Sequence, residues 1–320
     1  MNTPVYEGFE RQEDGRIKPP QMFNDASLDA AFWADGFVKV PLLSPSEMSK
    51  LREEFSLLSP TDDFDPRNLE NPRCDYHCTF LDPNREYRKQ SDQLVRNAMG
   101  EKIKAVLPGY RILTSNVYVK PPGAGRFEIH QNWPTIEDID VPTFTVWAHL
   151  QDTGFKNGTI RVVPGGHRIF PDIAAATSDR FFDEFETELI ETYLEPVNVA
   201  AGEALIFDDS LLHWSSDNLS ENPRITFQIE MVPQDAQTVL WIRNAEDPTQ
   251  FDLWEAGTHF WLEDDMESVL GRPDGLKFLG TRPNPNQHLS LEEFDVSMQR
   301  AGEIRRAKYV LDSGDIPTNS

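Results

Sequence analysis

Two histidines in this chain stand where strands end, in settings suited to a shared polar site. His130 lies in Glu128-Ile129-His130-Gln131-Asn132-Trp133-Pro134, at the close of a stretch that reads as a strand. His213 lies in Asp208-Asp209-Ser210-Leu211-Leu212-His213-Trp214, after a second strand, and Arg224 follows eleven residues later to open a third. Two imidazoles and one small acid on a common face are the ligand set of non-haem Fe(II) oxygenases, with positions left for a bidentate co-substrate and dioxygen. A buried guanidinium suits the far carboxylate of a 2-oxo acid, because its fork donates two parallel hydrogen bonds. Spacing alone is weak evidence, since a lone strand histidine is more often a satisfied polar residue than a ligand.

These residues need strands to bring them together. Arg111–Lys120, Arg126–Trp133, Thr143–Leu150, Thr159–Val163, Val197–Val199, Glu203–Phe207 and Arg224–Val232 are short, rich in β-branched and aromatic residues, and separated by Gly, Pro, Asn or Asp. Phe144, Val146, Ala148 and Leu150 alternate with Thr145, Trp147 and His149; Ile225, Phe227, Ile229 and Met231 alternate with Arg224, Thr226, Gln228 and Glu230. A period of two places the aliphatic set on one face and the polar set on the other. In a closed or double-sheet fold the polar face can line a cavity. The pattern predicts a mainly β chain with flanking helices, built on a jelly-roll core. Ser44-Pro45-Ser46-Glu47 and Ser290-Leu291-Glu292-Glu293 are capping boxes that start helices, the second with Leu291, Phe294, Met298 and Ala301 on one face. A further helix is expected from Ser91 to Val106, with loop over 59–90.

With these motifs in place the chain resembles the phytanoyl-CoA dioxygenase-like members of the Fe(II)/2-oxoglutarate oxygenases. The resemblance begins at DGFVKVPLLSPSEMSKLREEF and runs through VKPPG, IHQNW, TVWAHLQDTGFKNGTIRVVPGGHR, AGEALIFDDSLLHWSSDN and NPRITFQ, roughly residues 28–233. It implies a double-stranded β-helix (cupin-like) fold, with Fe(II), 2-oxoglutarate and O2 as cofactor and co-substrates. It also implies that His130 and His213 bind iron, that Arg224 pairs with the distal carboxylate of 2-oxoglutarate, and that Gln131, Trp147 and Ser215 wall that pocket. His167 and His149 are not expected as ligands.

Asn132 departs from the family, which carries aspartate there. An amide offers one neutral carbonyl oxygen in place of a charged carboxylate. Three outcomes stay open: weak coordination with hydroxylation of a small molecule retained, a vacant slot of halogenase type, or a catalytically silent binding module. A deliberate replacement of Asp is a fourth origin of the same residue. Glu137, Asp138 and Asp140 follow Pro134, and the proline makes them poor substitutes.

Composition narrows the partners. With 30 basic against 54 acidic residues the formal charge is −24, which repels nucleic acid and acidic membrane surfaces. No apolar run approaches a membrane span, and the first twenty residues lack a signal-like apolar stretch. A cytoplasmic protein acting on a small molecule is expected. Cys74 and Cys78 flank His77 without further evident ligands and read as reduced thiols. Residues 1–27 read as a polar arm, 28–233 as the oxygenase domain with its N-terminal helices, and 234–320 as an extension packed on the core or covering the pocket. Within the extension, Phe251–Trp261 is a candidate homodimer contact.

Overall fold

The alternating stretches become strands whose two faces do different work. In this computed structural model residues 10–11, 17–18, 20–167, 169, 173–264, 269–270, 273 and 275–299 are described. Most of the 1–27 arm and Ala301 lie outside them. In chain order the strands are β1 (Glu10–Arg11), β2 (Ile17–Lys18), β3 (Phe37–Pro41), β4 (His77–Cys78), β5 (Tyr110–Lys120), β6 (Phe127–His130), β7 (Phe144–His149), β8 (Ile160–Val162), β9 (Glu195–Pro196), β10 (Glu203–Asp208), β11 (His213–Ser215), β12 (Arg224–Pro233), β13 (Val239–Arg243), β14 (Gln250–Glu255) and β15 (Phe278–Pro283). The helices are α1 (Ala26–Asp35), α2 (Pro45–Phe55), α3 (Arg85–Val106), α4 (Glu186–Glu188), α5 (Thr258–Glu263) and α6 (291–299).

A six-stranded sheet, ordered β3-β10-β7-β12-β5-β4, and a four-stranded sheet, ordered β6-β11-β8-β9, form the jelly roll. Their strand pairs are antiparallel. On the outer face of the large sheet, Phe144, Val146 and Ala148 of β7 and Phe227, Ile229 and Met231 of β12 join Leu51 and Phe55 of α2 and Val95, Met99 and Ile103 of α3 in one core. Each such side chain contributes roughly 1.5–3 kcal/mol by leaving water. The inner face carries the polar set in cross-strand rungs: Lys120 opposite Arg224, then Tyr118, Thr226 and His149, then Asn116, Gln228 and Trp147, then Thr114, Glu230 and Thr145.

The helices start where their caps put them. Ser44 accepts from the Glu47 amide while the Glu47 carboxylate accepts from the Ser44 amide, closing the capping box of α2. Helix α3 starts at Arg85, six residues before the expected Ser91, because Asn84 caps it and its first turns bury Tyr87 and Arg88. That buried set is largely polar, so hydrophobic periodicity does not reveal it. Met22 and Phe23, within the stretch read as a polar arm, are fully buried in the core. The extension forms its own sheet, β13-β14-β15, and Trp254, Phe260 and Trp261 join the main core. Phe251, Trp254, Phe260 and Trp261 are buried within the chain, so these rings offer no exposed patch for a second copy. Among the described residues no helix is long and apolar enough to cross a membrane.

Candidate metal and co-substrate site

Strands β6 and β11 pair with His130 directly opposite His213, and the two ring centroids lie 4.1 Å apart. Each imidazole is held from its Nδ1 side. His130 Nδ1 lies 2.7 Å from the Glu128 carbonyl, and His213 Nδ1 lies 2.9 Å from the Leu211 carbonyl. Both carbonyls are acceptors, so Nδ1 carries the proton and Nε2 is left with its lone pair. His213 Nε2 is buried with no hydrogen-bond partner. Burial pushes both imidazoles below the ordinary histidine range, and the neighbouring His130 adds to the shift at His213. Two neutral rings, each with its Nε2 not used by these carbonyls, therefore lie side by side.

Asn132 follows on the same segment, with its backbone amide donating to the Asp209 carbonyl at 2.8 Å. Its side-chain Nδ2 donates to Thr145 Oγ1 at 2.6 Å and to Asp209 Oδ1 at 3.3 Å. The amide nitrogen is thus tied to the large sheet, and Oδ1 is the atom turned away from those partners. Glu137 pairs with Arg282 at 2.6 Å, and Asp138 is buried and accepts from the Asp140 amide, so neither stands in for the missing aspartate. Among the described residues, the one set of three His, Cys, Asp or Glu donors within 4.8 Å of one another is Asp62, His77 and Asp82. No such acid joins the His130–His213 pair at that range.

Arg224 is almost fully buried. Its Nη1 donates to the Gly158 carbonyl, while Nε and Nη2 have no partner. Burial lowers the guanidinium to about 9, which still leaves it charged at neutral pH. Gly158 has φ +68, and a Cβ there would collide with the Ser216 and Asp217 carbonyls, so glycine is required in this turn. Beside Arg224, Lys120 Nζ donates to Ser215 Oγ at 2.6 Å and to the Ser216 carbonyl at 2.7 Å. Desolvation, with help from Arg224, pushes this lysine down to about 5. Trp147 closes the same region, its ring packed near Tyr118, Phe127, Phe207 and His213. His149 bonds Thr226 at 3.2 Å, and burial with Arg224 beyond it drives its pKa to about 3. His167 packs on Phe32 and Trp33, outside this cluster.

A cavity of about 950 Å³ opens in front of His130. Gln131 and Asn132 line it, whereas His213, Arg224, Trp147 and Ser215 are not among its lining residues. Gln131 is fixed by donation to the Ser210 carbonyl at 2.7 Å. Cys74 and Cys78 also line the cavity as free thiols, raised by burial to about 11 and about 12. Spacing did not point to four residues that the fold adds: Lys120, Thr145, Asp209 and Glu230. Thr145 Oγ1 lies 2.7 Å from Asp209 Oδ1 and 3.1 Å from Glu230 Oε2, so one hydroxyl sits between two carboxyl groups. Burial raises Asp209 to about 6 and Glu230 well above the usual glutamate range. Glu230 belongs to the alternating polar set of β12, which was the available signal.

Comparison with known proteins gives the family. The phytanoyl-CoA dioxygenase (PhyH) family model matches residues 32–226. An ectoine dioxygenase of Halomonas elongata is 28% identical over 244 residues, covering 69% of this chain and 71% of the relative. The phytanoyl-CoA dioxygenase domain-containing protein 1 homolog of Dictyostelium discoideum is 22% identical over 133 residues, and this chain spans 47% of its length. The solved structure of SnoK, a non-haem α-ketoglutarate-dependent carbocyclase from nogalamycin biosynthesis, superposes with a TM-score of 0.50 at 19% identity, over 67% of this chain and 86% of that one, which is a likeness of fold. With the family match spanning more than half of its residues, the chain belongs to the phytanoyl-CoA dioxygenase family of Fe(II)- and 2-oxoglutarate-dependent oxygenases.

Proposed function

We propose that the chain oxidises, most simply by hydroxylation, a C–H bond of a small molecule, using Fe(II), 2-oxoglutarate and O2. The observation that carries this reading is the unpartnered Nε2 of His213. A buried acceptor without a donor costs about 1–3 kcal/mol, and a metal between the two rings would remove that cost. Arg224 makes the same point with donors, since its free Nε and Nη2 suit a carboxylate.

In this reading His130 and His213 hold iron through Nε2. The carbonyls on their Nδ1 atoms set tautomer and direction, as second partners of metal-bound histidines do. Asn132 supplies no more than a neutral oxygen. Arg224 grips the distal carboxylate of 2-oxoglutarate, while Gln131, Trp147 and Ser215 wall its pocket and Lys120 holds the Ser215 hydroxyl. Iron with its co-substrates supplies the oxidising power; the chain supplies position and shelter from water. Trp261, from the 234–320 extension, lines the cavity, which supports a covering role for that segment. A halogenase-type slot needs room where the acid is missing. Asn132 fills that space and is tied to Thr145, which favours the oxygenase.

Anaerobic Fe(II) and 2-oxoglutarate should give a weak visible charge-transfer band, and admission of air should then form succinate. Binding of both without succinate would make the chain a silent binder. Tight zinc binding with indifference to 2-oxoglutarate would end the oxygenase reading.

A further inference from the structure

The inner face of the large sheet carries basic side chains at one end and acidic ones at the other. At one end stand Lys120 and Arg224, opposite each other in register. Six residues further along β12 stands Glu230, beside Thr145 and Asp209. At roughly 3.3 Å per residue the two ends lie about 20 Å apart. A 2-oxo diacid is drawn to the cationic end, so the acidic end remains for the other reactant.

That end is built as a receptor. Glu230 lines the 950 Å³ cavity and is held by donors from Gln228 and Thr145. Gln228 is in turn oriented by Asn116 at 3.1 Å. No lysine or arginine pairs with Glu230 among the described residues. Three arginines line the cavity, Arg73, Arg126 and Arg180; Arg126 lies 3.3 Å from Glu128, and Arg180 lies 2.6 Å from Asp183 and 2.8 Å from Glu186.

Three of the aromatic rings that line this cavity lie near one another. Phe80 lies 6.5 Å from Trp133 and 6.0 Å from Trp261, centroid to centroid. Trp133 directly follows Asn132, which bonds Thr145, and α5 brings Trp261 to β5 by anchoring Thr258 on the Leu113 carbonyl at 2.8 Å. Thr114, the next residue, is the register partner of Glu230. A buried carboxyl group that shares a cavity with aromatic rings can receive an organic cation, whose charge would favour the ionised carboxylate. The net charge of −24 draws the same ligand in from solution.

We infer that the substrate carries a positively charged amine, most simply an alkylated ammonium, which Glu230 and the rings of Phe80, Trp133 and Trp261 recognise. The inference rests on the proposed oxygenase function only in naming this cavity the substrate site.

The test compares choline, its uncharged carbon isostere 3,3-dimethylbutan-1-ol and the anion 3,3-dimethylbutyrate. Each is titrated calorimetrically into the full chain, with and without Fe(II) and 2-oxoglutarate under nitrogen. Choline should bind about tenfold or more tighter than the alcohol, a gap of ~1.4 kcal/mol, and the anion weakest. Glu230→Gln keeps the shape and an acceptor for Thr145, and should reduce the gap to about twofold or less. Equal binding of choline and alcohol, no choline binding, or a gap that survives Glu230→Gln overturns the inference. Should that variant fail to fold, the wild-type comparison still decides, and Trp261→Leu offers a second variant whose expected result is weaker choline binding with little change for the alcohol. A cation preference in a chain that ignores 2-oxoglutarate would sink the oxygenase reading alone. Normal 2-oxoglutarate binding without the preference would sink this one alone.

Discussion

Two buried histidine clusters in this molecule look alike by residue type and differ in what their atoms lack. In the first, His77 Nδ1 lies 2.8 Å and 2.9 Å from the two oxygens of Asp62, and Nε2 lies 2.7 Å from the Tyr87 hydroxyl. Asp82, close by, accepts from the Thr61 amide and hydroxyl and from the Asn84 amide. Every ring nitrogen and both carboxylates are occupied, and the cluster ties the 60s loop to the start of α3. In the second, His130 and His213 each use one nitrogen on a backbone carbonyl, and His213 keeps a buried Nε2 with nothing to bind. The acid-rich cluster is the better metal site by composition and the poorer one by hydrogen-bond accounting. Unsatisfied buried groups are rare enough to need a reason.

The largest effect should come from the second cluster. His213→Ala or His130→Ala removes one of two imidazoles and should weaken Fe(II) binding by more than about 100-fold, with succinate formation lost. Iron titration under nitrogen measures this, and wild-type affinity in either variant would dissolve the contrast. Next in size is Arg224→Ala. Leaving the distal carboxylate of 2-oxoglutarate unpaired in a desolvated pocket should cost about 2–5 kcal/mol of its binding. Lysine at this position should restore little, because it lacks the two-pronged fork. Unchanged 2-oxoglutarate affinity in Arg224→Ala would remove the guanidinium from the site.

Asn132→Asp should act in two opposed directions. Asn132 donates to Asp209, so a carboxylate there replaces a donor by a third acidic group beside Asp209 and Glu230. The metal-free variant should lose about 1–3 kcal/mol of stability, and Fe(II) should raise its melting temperature more than it raises that of the parent. An unchanged metal-free melting temperature would show that Asn132 is not held in the acidic network. No added response to iron would show that the position does not face the metal.

How much of this was readable in advance follows a physical line. The period of two in Thr143–Leu150 and Arg224–Met231 gave the sheet faces, because a strand exposes alternate residues to different surroundings whatever its partners are. The His130, His213 and Arg224 neighbourhoods were legible as motifs. The register that sets Lys120 opposite Arg224 and Glu230 opposite Thr145 was not, since it is fixed by pairing across a hundred residues. Edge segments also escaped. Glu195–Pro196 pairs with β8, and Val197–Val199, expected as the strand, continues from it with bonds to Ile160 of β8 and to Thr153. The role of Asn132 depended on Asp209, distant in sequence and adjacent only after folding.

The smallest effect on the metal site should come from His77, and it is the control on which the contrast turns. His77→Ala strands Asp62 and Tyr87 in a buried setting. Asp62 still accepts from the Phe64 amide at 3.0 Å, and Tyr87 keeps Thr79 at 3.3 Å, so each retains one partner. The stability loss should therefore stay near the lower part of about 1–3 kcal/mol, seen as a fall of a few degrees in melting temperature. Fe(II) and 2-oxoglutarate affinity should match the parent, because none of these atoms touches the paired imidazoles. Loss of iron binding in His77→Ala, together with its retention in His213→Ala, would exchange the two clusters' roles. A filled hydrogen-bond inventory would then have hidden the metal site, and the open one would need another ligand to explain it.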